Sequence, residues 1–392
     1  MNHTESIRPR LERIQQRSLY AGIAGLAICV LGVFIDREQF FRSYLLGYIY
    51  VLGIPLGALG ITMLHNLTGG SWGYSIRRIL ESAVKTIPLM AALFVPIVFG
   101  LHSIYIWTDQ NLVGHDELLQ HKSPYLNVPF FLIRVAIYFA VWFGVSYLLV
   151  GKMRRVEAAG GPADDRGVQN FSAIGLLAFF LTATFAAFDW MMSLEPHWFS
   201  TIYGVMIIVG QVLSMFALSI AVLAVLTGWN PDLREKIRES YFHDLGNLLF
   251  AFTMLWAYLS LSQFLIIWSA NLPEEVTWYV QRSTGGWGVI PIILVAFHFL
   301  APFFLLLMRK TKRNPSTLAA VALVVLVMRY VDDYWLIAPS FHPLGIHLSW
   351  LDIVAPIGIG GIWLWMFIGQ LKKETSLIPL NAPFLTEAPK HD

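Results

Sequence analysis

Long apolar runs, each closed by a short polar segment, recur ten times along this chain. They cover 19–35, 41–65, 84–107, 127–150, 170–192, 201–227, 243–270, 287–308, 316–339 and 351–371. About 20 apolar residues in a helix span ~30 Å of hydrocarbon. Each run, the shortest at 19–35 included, is long enough to cross. The pattern therefore predicts an all-α integral membrane protein with ten transmembrane helices. It divides the chain into an N-terminal segment 1–18, a single membrane domain 19–371 and a C-terminal tail 372–392.

The polar segments between the runs differ in kind. Arg77, Arg78 and Lys85 fall in one; Lys152, Arg154, Arg155 and Arg166 in another; Arg234, Lys236 and Arg238 in a third; Arg309, Lys310, Lys312 and Arg313 in a fourth. With the N-terminal arginines and with Lys372, Lys373 and Lys390, they occupy every second connection. The remaining connections hold only Arg37, Arg42, Lys122 and Arg282. Short basic loops stay on the cytoplasmic side, so both termini are expected there, as in a multi-pass protein of a bacterial inner membrane. The opposite connections carry His115, Asp116, Glu117 and His121, then Glu195 and His197, then Glu274 and Glu275, then His342 and His347. Trp107, Trp190, Trp198, Trp278, Trp287, Trp335 and Trp350 cluster at that edge as an aromatic belt. No connection exceeds about twenty residues, which leaves no room for a soluble domain.

Composition agrees with lipid as the solvent. Of 392 residues 56% are hydrophobic and 13% charged, where soluble domains carry roughly a quarter charged. The net charge of +2 gives no basic surface for nucleic acid. Cys29 is the single cysteine, which rules out a disulfide framework and a Cys-ligated cluster on this chain. Arg8, Arg10, Arg13 and Arg17 precede the first run as they would in a signal peptide. The run is too long for that, and it is read as a membrane helix. Pro55, Pro88, Pro96, Pro291, Pro302 and Pro356 lie within runs and predict kinks. Gly53, Gly57 and Gly60 predict close helix packing.

Ionisable residues inside the runs are the candidate chemistry, because a charge at the bilayer centre costs from ~2.5 to more than 10 kcal/mol. Arg329, Asp332 and Asp333 share one helix face at i+3 and i+4 spacing. One carboxylate is left over, and Arg134 is its expected partner. Asp189 lies in the outer third of the fifth run, His102 at similar depth on the third, His298 near the middle of the eighth. Tyr258, Ser260, Ser262 and Gln263 line the seventh, and His65 with Glu81 and Lys85 marks the basic side. Three readings fit: a buried ionic staple, a proton path of carboxylates, histidines and hydroxyls, or a quinone head-group pocket at Asp189, His102 and Arg134. Haem ligation is not expected, since only His102 and His298 lie well inside runs and at different depths. There is no compact zinc motif, no phosphate-binding loop and no dinucleotide fingerprint.

The segment 188–204, FDWMMSLEPHWFSTIYG, resembles the signature of the NrfD-like (polysulfide-reductase-type) membrane subunits of bacterial alternative complex III. Residues 67–73, LTGGSWG, and 329–335, RYVDDYW, are similar to further segments of that family. The resemblance implies two four-helix bundles flanked by two helices, and a subunit more like ActF than its larger paralogue ActC. It implies partners: the paralogous subunit, an iron–sulfur and molybdopterin-like subunit, and multihaem cytochromes c. It implies a complex that oxidises menaquinol or another quinol and passes electrons to a cytochrome c or a blue-copper protein. Haem c and iron–sulfur clusters would sit on the partners, with no cofactor and no metal on this chain. Matched to the motifs, the candidate residues are Asp189, Glu195 and His197, with Arg329, Asp332 and Asp333. The wider proton-path set adds His102, His298, Arg134 and His65. The resemblance leaves open whether this subunit conducts protons, anchors the complex or binds the quinol. A secondary transporter would use similar buried ion pairs.

Overall fold

In the computed structural model, residues 7–162, 164–374 and 376–382 are described, and they form helices, turns and loops. Ten long helical segments are labelled in chain order: α1 (Arg8–Ile35), α2 (Arg37–Thr68), α3 (Ser71–Phe99), α4 (Val128–Ala158), α5 (Arg166–Trp190), α6 (Tyr203–Trp229), α7 (Glu239–Ala270), α8 (Val289–Leu307), α9 (Pro315–Ile337) and α10 (Trp350–Leu371). Among the described residues, nine of these, all but α9, are long and apolar enough to cross a membrane. The chain is a multi-pass, all-helical membrane protein. Helix α9 is 23 residues long and carries Arg329, Asp332 and Asp333.

Local sequence sets the helix ends. Asp36 caps α2 by accepting from Gln39 N–H at 2.9 Å, which satisfies one of the four unpaired donors at a helix start. Gly69, at φ +70°, stops α2 and returns its N–H to the His65 carbonyl at 2.8 Å; glycine enters that backbone region without a Cβ clash. Ser349 and Asp352 form a capping box at the start of α10. Helix α3 is broken around Pro88, Pro96 and Gly100, where proline removes ladder hydrogen bonds. Helix α8 switches to π geometry over Leu294–Leu300, just before Pro302, with His298 inside the irregular turn.

Helices α2 and α6 pack on each other at the centre and are buried along most of their length. Around them α2, α3, α4 and α5 pack in a closed ring, and α6, α7, α8 and α9 pack in a second ring. Helices α1 and α10 lie along each other and against α2. Leu, Ile, Val and Phe on the outward faces, Ile174, Leu181, Phe264 and Ile292 among them, are exposed on the bundle. In a membrane such a surface faces lipid at no cost, whereas in water it would be an aggregation liability.

Two sets of connections divide the bundle into ends. One end, which we call the basic end, holds Arg77, Arg78, Lys85, Arg154 and Arg155. The far end holds short helices at Gln110–His115, Glu117–Lys122 and Pro273–Gln281.

Candidate functional site

Spacing on α9 brings Arg329 and its two carboxylates together. One guanidinium nitrogen donates to Asp332, and Nη2 donates to Asp333 Oδ1 at 2.8 Å. All three side chains are buried. The expected leftover carboxylate is thus claimed by the same arginine, and Arg134 is not its partner. Trp256 on α7 donates its indole N–H to Asp332 Oδ2 at 2.9 Å. The guanidinium lies against the backbone of α6: a Cβ on Gly210 would stand 2.4 Å from Arg329 Nη2. Ionised, the trio carries one positive and two negative charges, so it is short of one positive charge.

His298 is next in this chain of contacts. Its ring meets the Trp256 ring edge-on, with centroids 4.3 Å apart. The side chain is fully buried, and neither ring nitrogen meets a hydrogen-bond partner among the described residues. A buried polar group without a partner costs ~1–3 kcal/mol, so its retention beside a charged trio is notable.

A second buried pair joins α4 to α5. Arg134 donates from Nε to Asp189 Oδ2 at 2.7 Å and from Nη2 to Oδ1 at 3.0 Å. Tyr138 adds its hydroxyl to Oδ2 at 2.6 Å. Asp189 is fully buried. The guanidinium also lies 3.8 Å over Tyr125 and 4.5 Å over Phe130. This planar fork, engaging both oxygens, is how arginine holds a carboxylate most firmly. The hydroxyl of Tyr125 titrates above its ordinary value, from burial first and from the nearby Asp189 charge second.

At the far end Glu195 accepts from Arg282 at 2.7 Å and from Ser340 at 2.6 Å. Arg282 also donates to the Leu336 carbonyl at 2.8 Å and stacks 3.7 Å over Trp278. His197 pairs with Asp116 at 2.6 Å on the surface. Asp116 also caps Glu117–Lys122. Its carboxyl lies below the ordinary range, held first by the Leu119 N–H and then by His197. His102 is exposed on the bundle surface, away from the buried trio and apart from the Arg134–Asp189 pair it was grouped with. Asp352, Ser43, Gln39 and His342 form a further hydrogen-bonded set near the start of α10. Burial first, then the neighbouring charges of His347 and Arg42, lower the His342 pKa, opposed by Asp36.

At the basic end Glu81 is fully buried under three arginines: Arg77 at 3.2 Å, Arg78 at 3.0 Å, and Arg154. Arg78 also reaches Glu157. Glu374 accepts from Arg154 at 2.6 Å and from Lys85 at 3.0 Å. His65 makes no ion pair in this network and adjoins it through Tyr74, over which Arg77 lies. It is held by the Gly70 carbonyl at 2.9 Å and wedged edge-on against Trp72 and Tyr74. Gly73 is required there, since a Cβ would fall 1.9 Å from His65 Cδ2.

The ten candidate residues therefore do not form one site. Arg329, Asp332, Asp333 and His298 form one cluster, and Arg134 with Asp189 another. Glu195 and His197 sit in separate far-end pairs, and His65 and His102 lie outside both clusters. Sequence reasoning missed Trp256, Tyr138 and Arg282 as partners, and missed Glu157 and Glu374. Arg282 alone carried a signal: it is an arginine on the side otherwise poor in them. Among the described residues no three His, Cys, Asp or Glu side chains come together as a metal site. No family model matches this chain, and no curated protein matches it.

Proposed function

We propose that the chain is a membrane subunit of a quinol-oxidising complex of the alternative complex III type, in which it carries a proton path. In this reading α9 is the tenth membrane span. The two helix rings are the two four-helix bundles, with α1 and α10 as the flanking pair. The basic end faces the cytoplasm of a bacterium, with both termini on that side. The partners are those of the resemblance: a paralogous membrane subunit, an iron–sulfur subunit and multihaem cytochromes c. Electrons stay on them, and this chain takes the place of the ActF-like subunit.

One observation carries the proton role. A buried trio, short of one positive charge, adjoins a buried imidazole that has no hydrogen-bond partner among the described residues. Two carboxylates sharing one guanidinium have room for one proton, since like charges so close do not both ionise cheaply. His298 is a group that can accept and pass one. Asp189 fits a holding role better, because both its oxygens accept hydrogen bonds and one arginine balances its charge.

A second reading, a pure ionic staple, is favoured by Trp256 and Arg329 both donating to Asp332 Oδ2. Reconstituting the purified complex in vesicles separates the two. Asp333→Asn and His298→Phe should leave assembly and quinol turnover within about twofold while proton release per quinol falls. Loss of assembly in both variants, or unchanged proton release, would end the proton reading. Purification of the chain without haem-bearing partners would end the assignment to a respiratory complex.

A further inference from the structure

Where α3, α4 and α5 meet at the basic end, a cavity of about 650 Å³ opens on the outside of the bundle. Its wall on α4 is a stripe at four-residue spacing: Phe143, Tyr147, Gly151 and Arg155, with Lys152 beside it. Residues spaced by four share a helix face, so the stripe grades from aromatic to small to cationic along one line. From Phe143 to Arg155 it rises about 18 Å, close to the depth of one leaflet of a ~30 Å hydrocarbon core. Phe143 and Tyr147 are 48% and 70% exposed, so the apolar part is open sideways to lipid. Gly151 makes a notch between the two halves, because a Cβ there would meet nothing within 4 Å.

The charges at the lower rim are unequal. Lys85 lines the cavity but is held by Glu374 at 3.0 Å, and the neighbouring Arg154 is likewise committed to Glu81 and Glu374. Lys152 and Arg155 make no ion pair among the described residues. The nearby Asp165 caps α5 by accepting from the Val168 N–H at 2.9 Å and makes no ion pair with either. Two cations without an ion-pair partner among the described residues thus close the polar end of a groove whose other end is aromatic and open to hydrocarbon. A free anion would use the cations and leave the aromatic half bare. A neutral lipid would use the aromatic half and leave the cations unbalanced.

We propose that this cavity is a binding site for an anionic phospholipid, its phosphate on Lys152 and Arg155 and one acyl chain along Tyr147 and Phe143. The notch at Gly151 takes the glycerol region, where a side chain would block the chain's path. The site is independent of the proton path and needs no partner subunit.

The test uses the full chain in detergent, titrated with short-chain phosphatidylglycerol, phosphatidylcholine or inorganic phosphate, with thermal unfolding as readout. Phosphatidylglycerol should raise the melting temperature saturably, and the other two should not. In Lys152→Gln/Arg155→Gln its apparent Kd should rise about tenfold, which is modest for two lost surface-charge contacts. Gly151→Leu, which adds bulk into open space without changing charge, should weaken it comparably. Arg13→Gln/Arg17→Gln removes two exposed charges from α1 and should change nothing. Equal weakening in that control would reduce the effect to general charge attraction and overturn the proposal. So would a response to inorganic phosphate matching that to the lipid, or an unaltered Kd in Gly151→Leu.

Discussion

The buried carboxylates differ in how completely they are held, and this decides what each can do. Asp189 receives three hydrogen bonds, two from a guanidinium that is itself pinned to the Tyr125 carbonyl at 2.9 Å. Removing one partner of such a pair leaves an uncompensated charge in a place that cannot hydrate it, which costs about 3–5 kcal/mol. Asp189→Asn should therefore destabilise the chain by about that amount, measured by thermal or denaturant unfolding in detergent. Arg134→Met/Asp189→Asn should recover a large part of the loss, since the stranded charge is gone. A single variant as stable as the parent, or a double variant worse than both singles, would mean that the pair contributes nothing as a pair. By the same reasoning Asp332 and Asp333, two carboxylates on one arginine, are the more adjustable groups.

At the scale of helices, much was legible in the sequence. Nine of the ten apolar runs correspond to helices able to cross a membrane, because hydropathy responds to helix length and lipid exposure, and both are local properties. The interruption of α3 followed from its prolines. Which helix meets which did not follow, since that depends on how each helix is rotated about its axis. Arg134 and Asp189 are 55 residues apart and Trp256 and Asp332 are 76 apart, and no spacing rule links them.

The contact between α1 and α10 was missed for the same reason. The sequence pointed to Gly53, Gly57 and Gly60, and a Cβ on Gly57 would indeed fall 2.1 Å from the Gln211 carbonyl oxygen. Yet Gly22 and Gly25 on α1 also meet Gly361 and Gly358 on α10 backbone to backbone. A Cβ on Gly25 would stand 2.7 Å from Gly358 Cα. Small residues let membrane helices approach backbone to backbone. Gly25→Leu should push α10 away and cost about 1–3 kcal/mol or more by overpacking, seen as a lower melting temperature. Gly144→Leu on α4, where a Cβ has open space, should change it little. Equal effects would show that leucine itself, not the crossing, is responsible.

Across the whole molecule the basic end is tied shut by residues far apart in sequence. Arg77, Arg78, Lys85 and Arg154 meet Glu81, Glu157 and Glu374, which come from α3, α4 and the segment after α10. The described residues after α10 are thus part of this end. Leu377 and Ile378 are buried behind Glu374, and the Leu380 N–H donates to Glu157 Oε1 at 2.8 Å. With Glu374 present the group carries four positive and three negative charges; without it, four against two. Arg154 and Lys85 are each about a third exposed, so water screens part of the loss, and Glu374→Gln should cost about 1–3 kcal/mol rather than the full price of a buried pair. Ending the chain at Lys373 should cost more, because burial of Leu377 and Ile378 goes too, at about 1.5–3 kcal/mol for each fully buried side chain. Hydrogen exchange should then rise at the basic ends of α3 and α4, more than 200 residues away in sequence, while the far ends of the same helices stay protected. If exchange rises only within the last turn of α10, the tail rests on this end without holding it together.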